Sequence, residues 1–190
     1  FWVVGVFLGM DHLIDCQYKR SDALCRLICF SWAGGGTLQL ARWSKLFSSS
    51  IEVSSVRLPE RESRPKEPLA KDMATIVDEM TSALLEYFQE KPFAFFGHSF
   101  GSYMCFAVAL HLKEKYGLEP THLFVSAAHG PHSTALLLLK VIPISDAEDE
   151  DILSYMQILG GNPELLENEE VKKYAICTFR EALRLLQTFS

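Results

Sequence analysis

The sequence predicts an α/β fold, a mainly parallel sheet with helices on both faces. Three observations predict it. Four short apolar runs lack the alternation of a half-solvated strand, helical periodicity fills the space between them, and a Gly-x-Ser-x-Gly motif sits where the third run passes into a helix.

The runs are "RLICFS" (26–31), "IEVSSVRL" (51–58), "FAFFGH" (93–98) and "HLFVSA" (122–127). Near-continuous apolar residues such as Cys29, Phe30, Val53, Val56, Phe95, Phe96, Phe124 and Val125 suit strands buried on both faces. Ahead of the third run, Met73, Ile76, Val77, Met80, Leu84, Tyr87 and Phe88 recur at three- and four-residue spacing and predict one amphipathic helix. A second helix opens at Ser99, carries Met104, Val108 and Leu112, and stops at Gly117. After residue 132 the pattern turns helical, in "DAEDEDILSYMQILGG" and "EEVKKYAICTFREALRLLQTF", joined through Gly160–Gly161–Asn162–Pro163. The acidic run 146–151 reads as the N-terminal charge of a helix. Residues 26–190 are expected to form a single, incomplete α/β domain, with 133–190 mostly helical.

Residues 1–25 are read as an N-terminal extension. "FWVVGVFLGM" is far shorter than the roughly 20 residues of a membrane span, and it lacks the basic start and cleavage site of a secretory signal. Either Met10 starts the protein or this segment is a buried edge strand.

Composition narrows the function. In 190 residues, 48% hydrophobic and 22% charged, the net charge of −6 argues against a nucleic-acid binder. Five cysteines, Cys16, Cys25, Cys29, Cys105 and Cys177, show no CxxC spacing or histidine partner pattern. They read as free thiols of a cytosolic protein, with no metal site and no disulfide framework.

Gly97–His98–Ser99–Phe100–Gly101 gains its meaning from context. A nucleophilic serine of this kind sits on a sharp turn between a buried strand and a helix, where flanking glycines permit close packing. The alternative is a serine that merely caps the helix. A nucleophile also needs an oxyanion hole. One donor would be the backbone N–H of Phe100, and the second the N–H of Trp32 or Ala33 in the glycine-rich loop "CFSWAGGGT" that holds Gly34 and Gly35. That loop lacks the Lys-Ser/Thr of a phosphate-binding loop.

Chain order tests the triad. In this motif's fold the acid and then the histidine follow the serine. After Ser99 come His111, His122, His129 and His132, with no histidine beyond, and no aspartate lies between Ser99 and His132. Glu114 and Glu119 are not at a strand's C-terminal end. The order does not close within these residues, so either His129 or His132 serves in an unusual topology or the base lies outside them. His98 is expected to pack behind the turn.

"LICFSWAGGG", "VRLPERESR", "KPFAFFGHSFGS", "THLFVSAA" and "ILGGNPELL" together resemble the type II thioesterases of the α/β-hydrolase fold, over residues 26–190. The resemblance implies that Ser99 attacks an acyl thioester while Phe100 and the Trp32–Ala33 segment hold the oxyanion. It implies a helical lid from about Asp146, no cofactor, and release of medium-chain fatty acids from the acyl carrier domain of fatty acid synthase. Ser31, Glu60 and Phe100 stand where the family has proline, glycine and methionine, and 129–143 fits poorly. The family's catalytic aspartate and Gly-Gly-His-Phe histidine have no counterpart here. The chain is therefore expected to be C-terminally truncated, weakly active on its own, and to expose a sheet edge with apolar surface.

Two other readings stay open: a non-catalytic module that binds acyl chains or a carrier protein, and another serine esterase, against which the absence of a His-Gly-Gly-Gly oxyanion motif counts. Arg57, Arg61, Arg64 and Lys66 form a basic cluster on an acidic chain. They either dock an acidic carrier domain or lie in a solvated loop with Glu60 and Glu62.

Overall fold

The structure, a computed structural model, describes residues 12–58, 70–141, 143–144, 146–161 and 167–189, Leu138 by its backbone alone. The N-terminal decapeptide with Met10, the loop carrying Glu60, Arg61, Glu62, Arg64 and Lys66, and residues 162–166 lie outside the described residues. The chain divides into two compact units, Phe1–Ala128 and His129–Ser190. The division falls close to the change of pattern seen in the sequence.

The first unit holds a five-stranded sheet. Its strands are β1 (Ile14–Asp15), β2 (Cys25–Phe30), β3 (Ile51–Val56), β4 (Phe93–His98) and β5 (His122–Ser126), in spatial order β1-β3-β2-β4-β5. The four predicted strands pair in parallel, and β1 pairs antiparallel with β3, Ile14 opposite Val56. At two residues, β1 is too short for any periodicity to announce it.

Side chains alternate across the sheet and bury both faces. Leu27, Cys29 and Val53 pack with Leu40, Trp43 and Phe47 from α1 (Thr37–Ala41) and the 3-10 turn and residues that follow. On the opposite face the Phe95 ring lies 5.3 Å from Phe30 and 5.9 Å from Phe88. The predicted 73–88 helix is instead two, α2 (Met73–Ala83) and α3 (Leu85–Glu90), with a turn at the fully buried Leu84. Beyond that turn Tyr87 and Phe88 meet Arg26 and the β4 phenylalanines. Gly117, left-handed at φ 65°, ends α4 (Phe100–Tyr116) where the sequence predicts the stop.

Burial on both faces holds for β2 and β3 but not for β5. Leu123, Phe124 and Val125 are 37%, 51% and 58% exposed. Among the described residues β5 pairs only with β4, so it is the edge of the sheet.

At the other end of the central strands lies a buried polar cluster. Arg26 Nε donates to Glu52 Oε1 at 2.7 Å, and the guanidinium also reaches the Tyr87 carbonyl and the Glu90 carboxylate. Its carbon sits 3.8 Å over the Tyr87 ring. The Tyr87 hydroxyl lies 3.1 Å from Ser54 Oγ, and Arg20 N donates to Glu52 Oε2 at 2.7 Å. Burial opposes ionisation of Glu52, but the hydrogen bonds from Arg26 and Arg20 and the nearby positive charge outweigh it, holding the carboxyl below the usual range.

The second unit is helical: α5 (Thr134–Lys140), α6 (Asp149–Ile158) and α7 (Glu169–Gln187). Ile144, Ile152, Ile176 and Leu183 form its core. Carboxylates 149–151 occupy the first turn of α6, as the acidic run predicts, and Arg180 of α7 bonds Asp149 at 2.8 Å. Asn168 Oδ1 caps α7 by accepting from Glu170 N and Val171 N. Among the described residues no helix is long and apolar enough to cross a membrane.

Candidate active site

The site is built where β4 turns into α4. Ser99 lies between them with φ 52° and ψ −120°, a backbone region that residues with a side chain rarely occupy. Its side chain makes no capping hydrogen bond to α4. A capping serine has extended backbone and accepts a helix N–H, so the capping alternative does not describe this residue. The turn stands at the end of β4 and at the positive end of a 17-residue helix.

The glycines of the motif are required by space. A Cβ at Gly97 would lie 2.6 Å from the Gly101 carbonyl carbon and from Ser102 Cα. One at Gly101 would lie 2.6 Å from the Phe30 carbonyl carbon and 2.7 Å from the Ser31 carbonyl oxygen. The first turn of α4 is thus pressed against the end of β2, where the glycine-rich loop begins. Gly101→Ala should cost about 1–3 kcal/mol or more, since backbone rather than a movable side chain must give way. Urea denaturation checks it, and an unchanged midpoint would contradict this packing.

The loop itself is a tight turn. Gly35 N donates to the Trp32 carbonyl at 3.0 Å, with Ala33 and Gly34 between them and Gly34 at φ 77°. Positive φ at the third position is the mark of a type II turn, and glycine fits it without strain. A Cβ at Gly35 would lie 2.8 Å from the Trp32 indole ring, so the turn packs against that ring. Ser31 donates through Oγ to the Gly35 carbonyl at 2.8 Å and closes the turn from inside. Thr37, at the start of α1, is tied to Asp15 of β1 at 2.9 Å.

The elbow and the loop meet through His98. Its ring stands edge-on to Trp32 at 5.7 Å, and its Nδ1 lies 3.1 Å from Ser126 Oγ. His111 lies three turns along α4, about 18 Å of helix rise from Ser99, and faces Asp78 of α2 at 3.2 Å. His122 pairs with Ala94 at the far end of β5. Neither is beside the serine. Glu119 pairs with Lys113 at 2.8 Å on the surface, ahead of β5.

Two residues that the sequence reading passed over belong to the elbow. Ser102 Oγ lies 2.8 Å from the Gly97 carbonyl and 2.9 Å from the Ser126 carbonyl. Ser126 O also accepts from Ser99 N at 2.8 Å. The parallel register that sets His98 opposite Ser126 was the available signal, because "FAFFGH" and "HLFVS" align end to end.

Two of the free cysteines, Cys29 and Cys105, are buried in the first unit. Burial, and then the neighbouring Cys105, pushes Cys29 up to about 12, and burial likewise pushes Cys105 up to about 12. Both stay protonated at neutral pH.

Residues 25–190 match the family described as thioesterase domain. The chain is 50% identical over 181 residues to an S-acyl fatty acid synthase thioesterase, medium chain, from Anas platyrhynchos, covering 95% of this chain and 71% of that protein. A protein of the same description from Homo sapiens is 42% identical, covering 94% and 67%. Among solved structures, the RedJ thioesterase of the prodiginine pathway in Streptomyces coelicolor aligns with a TM-score of 0.77 at 26% identity, over 90% of this chain and 66% of that one. The chain therefore spans about two thirds of the length of these relatives.

Proposed function

The chain belongs to the thioesterase family, and from that premise we propose that it hydrolyses medium-chain acyl thioesters held on the acyl carrier domain of a fatty acid synthase, with Ser99 as nucleophile. The observation that carries this is the backbone of Ser99, strained at φ 52° and uncommitted to helix capping, at the join of a parallel strand and a helix. Its oxyanion partners would be the N–H groups of Phe100 and of Trp32 or Ala33. The Trp32–His98 contact supports that pairing, because it holds loop and elbow side by side.

In this reading Ser99 Oγ adds to the thioester carbonyl as its proton passes to a general base. The tetrahedral oxyanion collapses with cleavage of the C–S bond, and the pantetheine thiol leaves with a proton. Water then attacks the acyl-serine by the same route in reverse and frees the fatty acid. No histidine among the 190 residues follows His132, so none here is assigned as the base by the family's order. A cytosolic setting agrees with the five free cysteines.

The test is hydrolysis of acyl-pantetheines of different length. The proposal expects decanoyl-pantetheine to be cleaved well above a chain-matched oxygen ester. Equal turnover of both would favour a general esterase. Saturable acyl binding without turnover, surviving Ser99→Ala, would favour a non-catalytic acyl-binding module, the reading that the unclosed triad order keeps in view.

A further inference from the structure

Ser126, the last residue of β5, directs every polar atom it has at the elbow. Its carbonyl accepts from Ser99 N at 2.8 Å and lies 2.9 Å from Ser102 Oγ. Its N–H faces the same Ser102 oxygen at 3.3 Å, and its hydroxyl meets His98 Nδ1 at 3.1 Å. Three consecutive parts of the nucleophile turn, the strand end, the serine and the first helical turn, therefore converge on one residue of the neighbouring strand. Ser102 completes the arrangement: it is buried, and its single hydroxyl also reaches back to the Gly97 carbonyl at 2.8 Å.

A backbone like that of Ser99 persists only where its surroundings hold it from several sides. The following residue, Ala127, also has positive φ, at 51°. Two strained non-glycine residues thus flank one hydrogen-bonded centre, and the chain leaves β5 abruptly after contacting the turn. Through His98 the same centre reaches Trp32, so one residue sets the nucleophile and steadies the loop expected to bind the oxyanion.

We infer that Ser126 and Ser102 are positioning residues for Ser99: they hold its turn, and through His98 the Trp32 loop, in the geometry that binds the tetrahedral oxyanion. Neither is a catalytic residue, since both act through other groups. The inference rests on Ser99 being the nucleophile. Because the oxyanion forms after substrate binds, loosening this clamp should lower kcat and leave KM in place. A role confined to stability would lower the melting temperature without that split.

The experiment compares wild type, Ser126→Ala, Ser126→Thr, Ser102→Ala and Ser99→Ala. The readouts are kcat and KM for decanoyl-pantetheine, the rate of fluorophosphonate capture, and thermal unfolding. Ser126→Ala should lower kcat and the capture rate together by about tenfold, on the scale of one lost hydrogen bond, with KM unchanged. Ser126→Thr keeps the hydroxyl and should restore both to within about threefold. Ser102→Ala should match or exceed the loss. Wild-type rates in folded Ser126→Ala and Ser102→Ala, or a loss that Ser126→Thr leaves unrepaired, would overturn the clamp. A Ser99→Ala variant that still turns over would overturn the underlying reading instead.

Discussion

Ser99→Ala should lower thioester turnover on the order of 10⁶-fold, the scale set by removing the nucleophile of a serine protease. The expectation follows from the geometry rather than the motif alone. Ser99 makes no capping bond that alanine would forfeit, and alanine meets the same backbone strain, so the variant should fold and melt close to wild type. Ser99→Gly should also be inactive yet more stable than Ser99→Ala by about 1–2 kcal/mol, because glycine occupies φ 52° without strain. Inactivity with retained or raised stability separates a chemical role from a structural one. Turnover, circular dichroism and urea denaturation together check it.

The second large effect belongs to the opposite end of the sheet. Glu52→Leu should destabilise the protein by about 3–5 kcal/mol, because it leaves the Arg26 guanidinium buried with only part of its compensation. Arg26 is 6% exposed, and its remaining carboxylate, Glu90, has a side chain 59% exposed and screened by water. For a chain of this size the loss corresponds to a fall in melting temperature of about 6–20 °C. The joint change Arg26→Met with Glu52→Leu should recover most of it, since the uncompensated charge goes too.

The pH dependence has a definite sign. Glu52 is held below its ordinary range in the folded protein, so the unfolded chain takes up the proton first as pH falls. Its contribution is complete above the unfolded value of about 4.3 and is lost as pH drops through the lower folded value. The stability gap between wild type and Glu52→Gln should thus be constant near neutrality and close in acid. A gap that widened in acid would contradict the ion-pair account.

The elbow was legible because its determinants are local. Five residues carry both the turn and the glycines it needs, and the flanking "FAFF" and "SYMCF" declare a strand and a helix. The glycine-rich loop was legible for the same reason, as a turn around Gly34 and Gly35, while the positive φ of Gly34 came only with the structure. What escaped depends on tertiary neighbours. Nothing in the residues around Ile14 signals a two-residue pairing with Val56 and Ser55. The apolar spacing from Met73 to Phe88 runs unbroken through Leu84, so the turn there is set by packing on Arg26 and Phe93. Phe124 and Val125 read as buried although β5 has a single neighbour among the described residues. Ser102 and Ser126 lie 24 positions apart, and only the β4–β5 register joins them.

The most direct test of Ser99 as nucleophile is covalent capture. A preparation that hydrolyses decanoyl-pantetheine is treated with a fluorophosphonate, sampled for activity, and digested for peptide mapping by mass spectrometry. The predicted result is a single adduct on the peptide containing Ser99, rising in step with lost activity. Activity lost to an adduct on another residue, or hydrolysis persisting with Ser99 fully modified, would contradict the account.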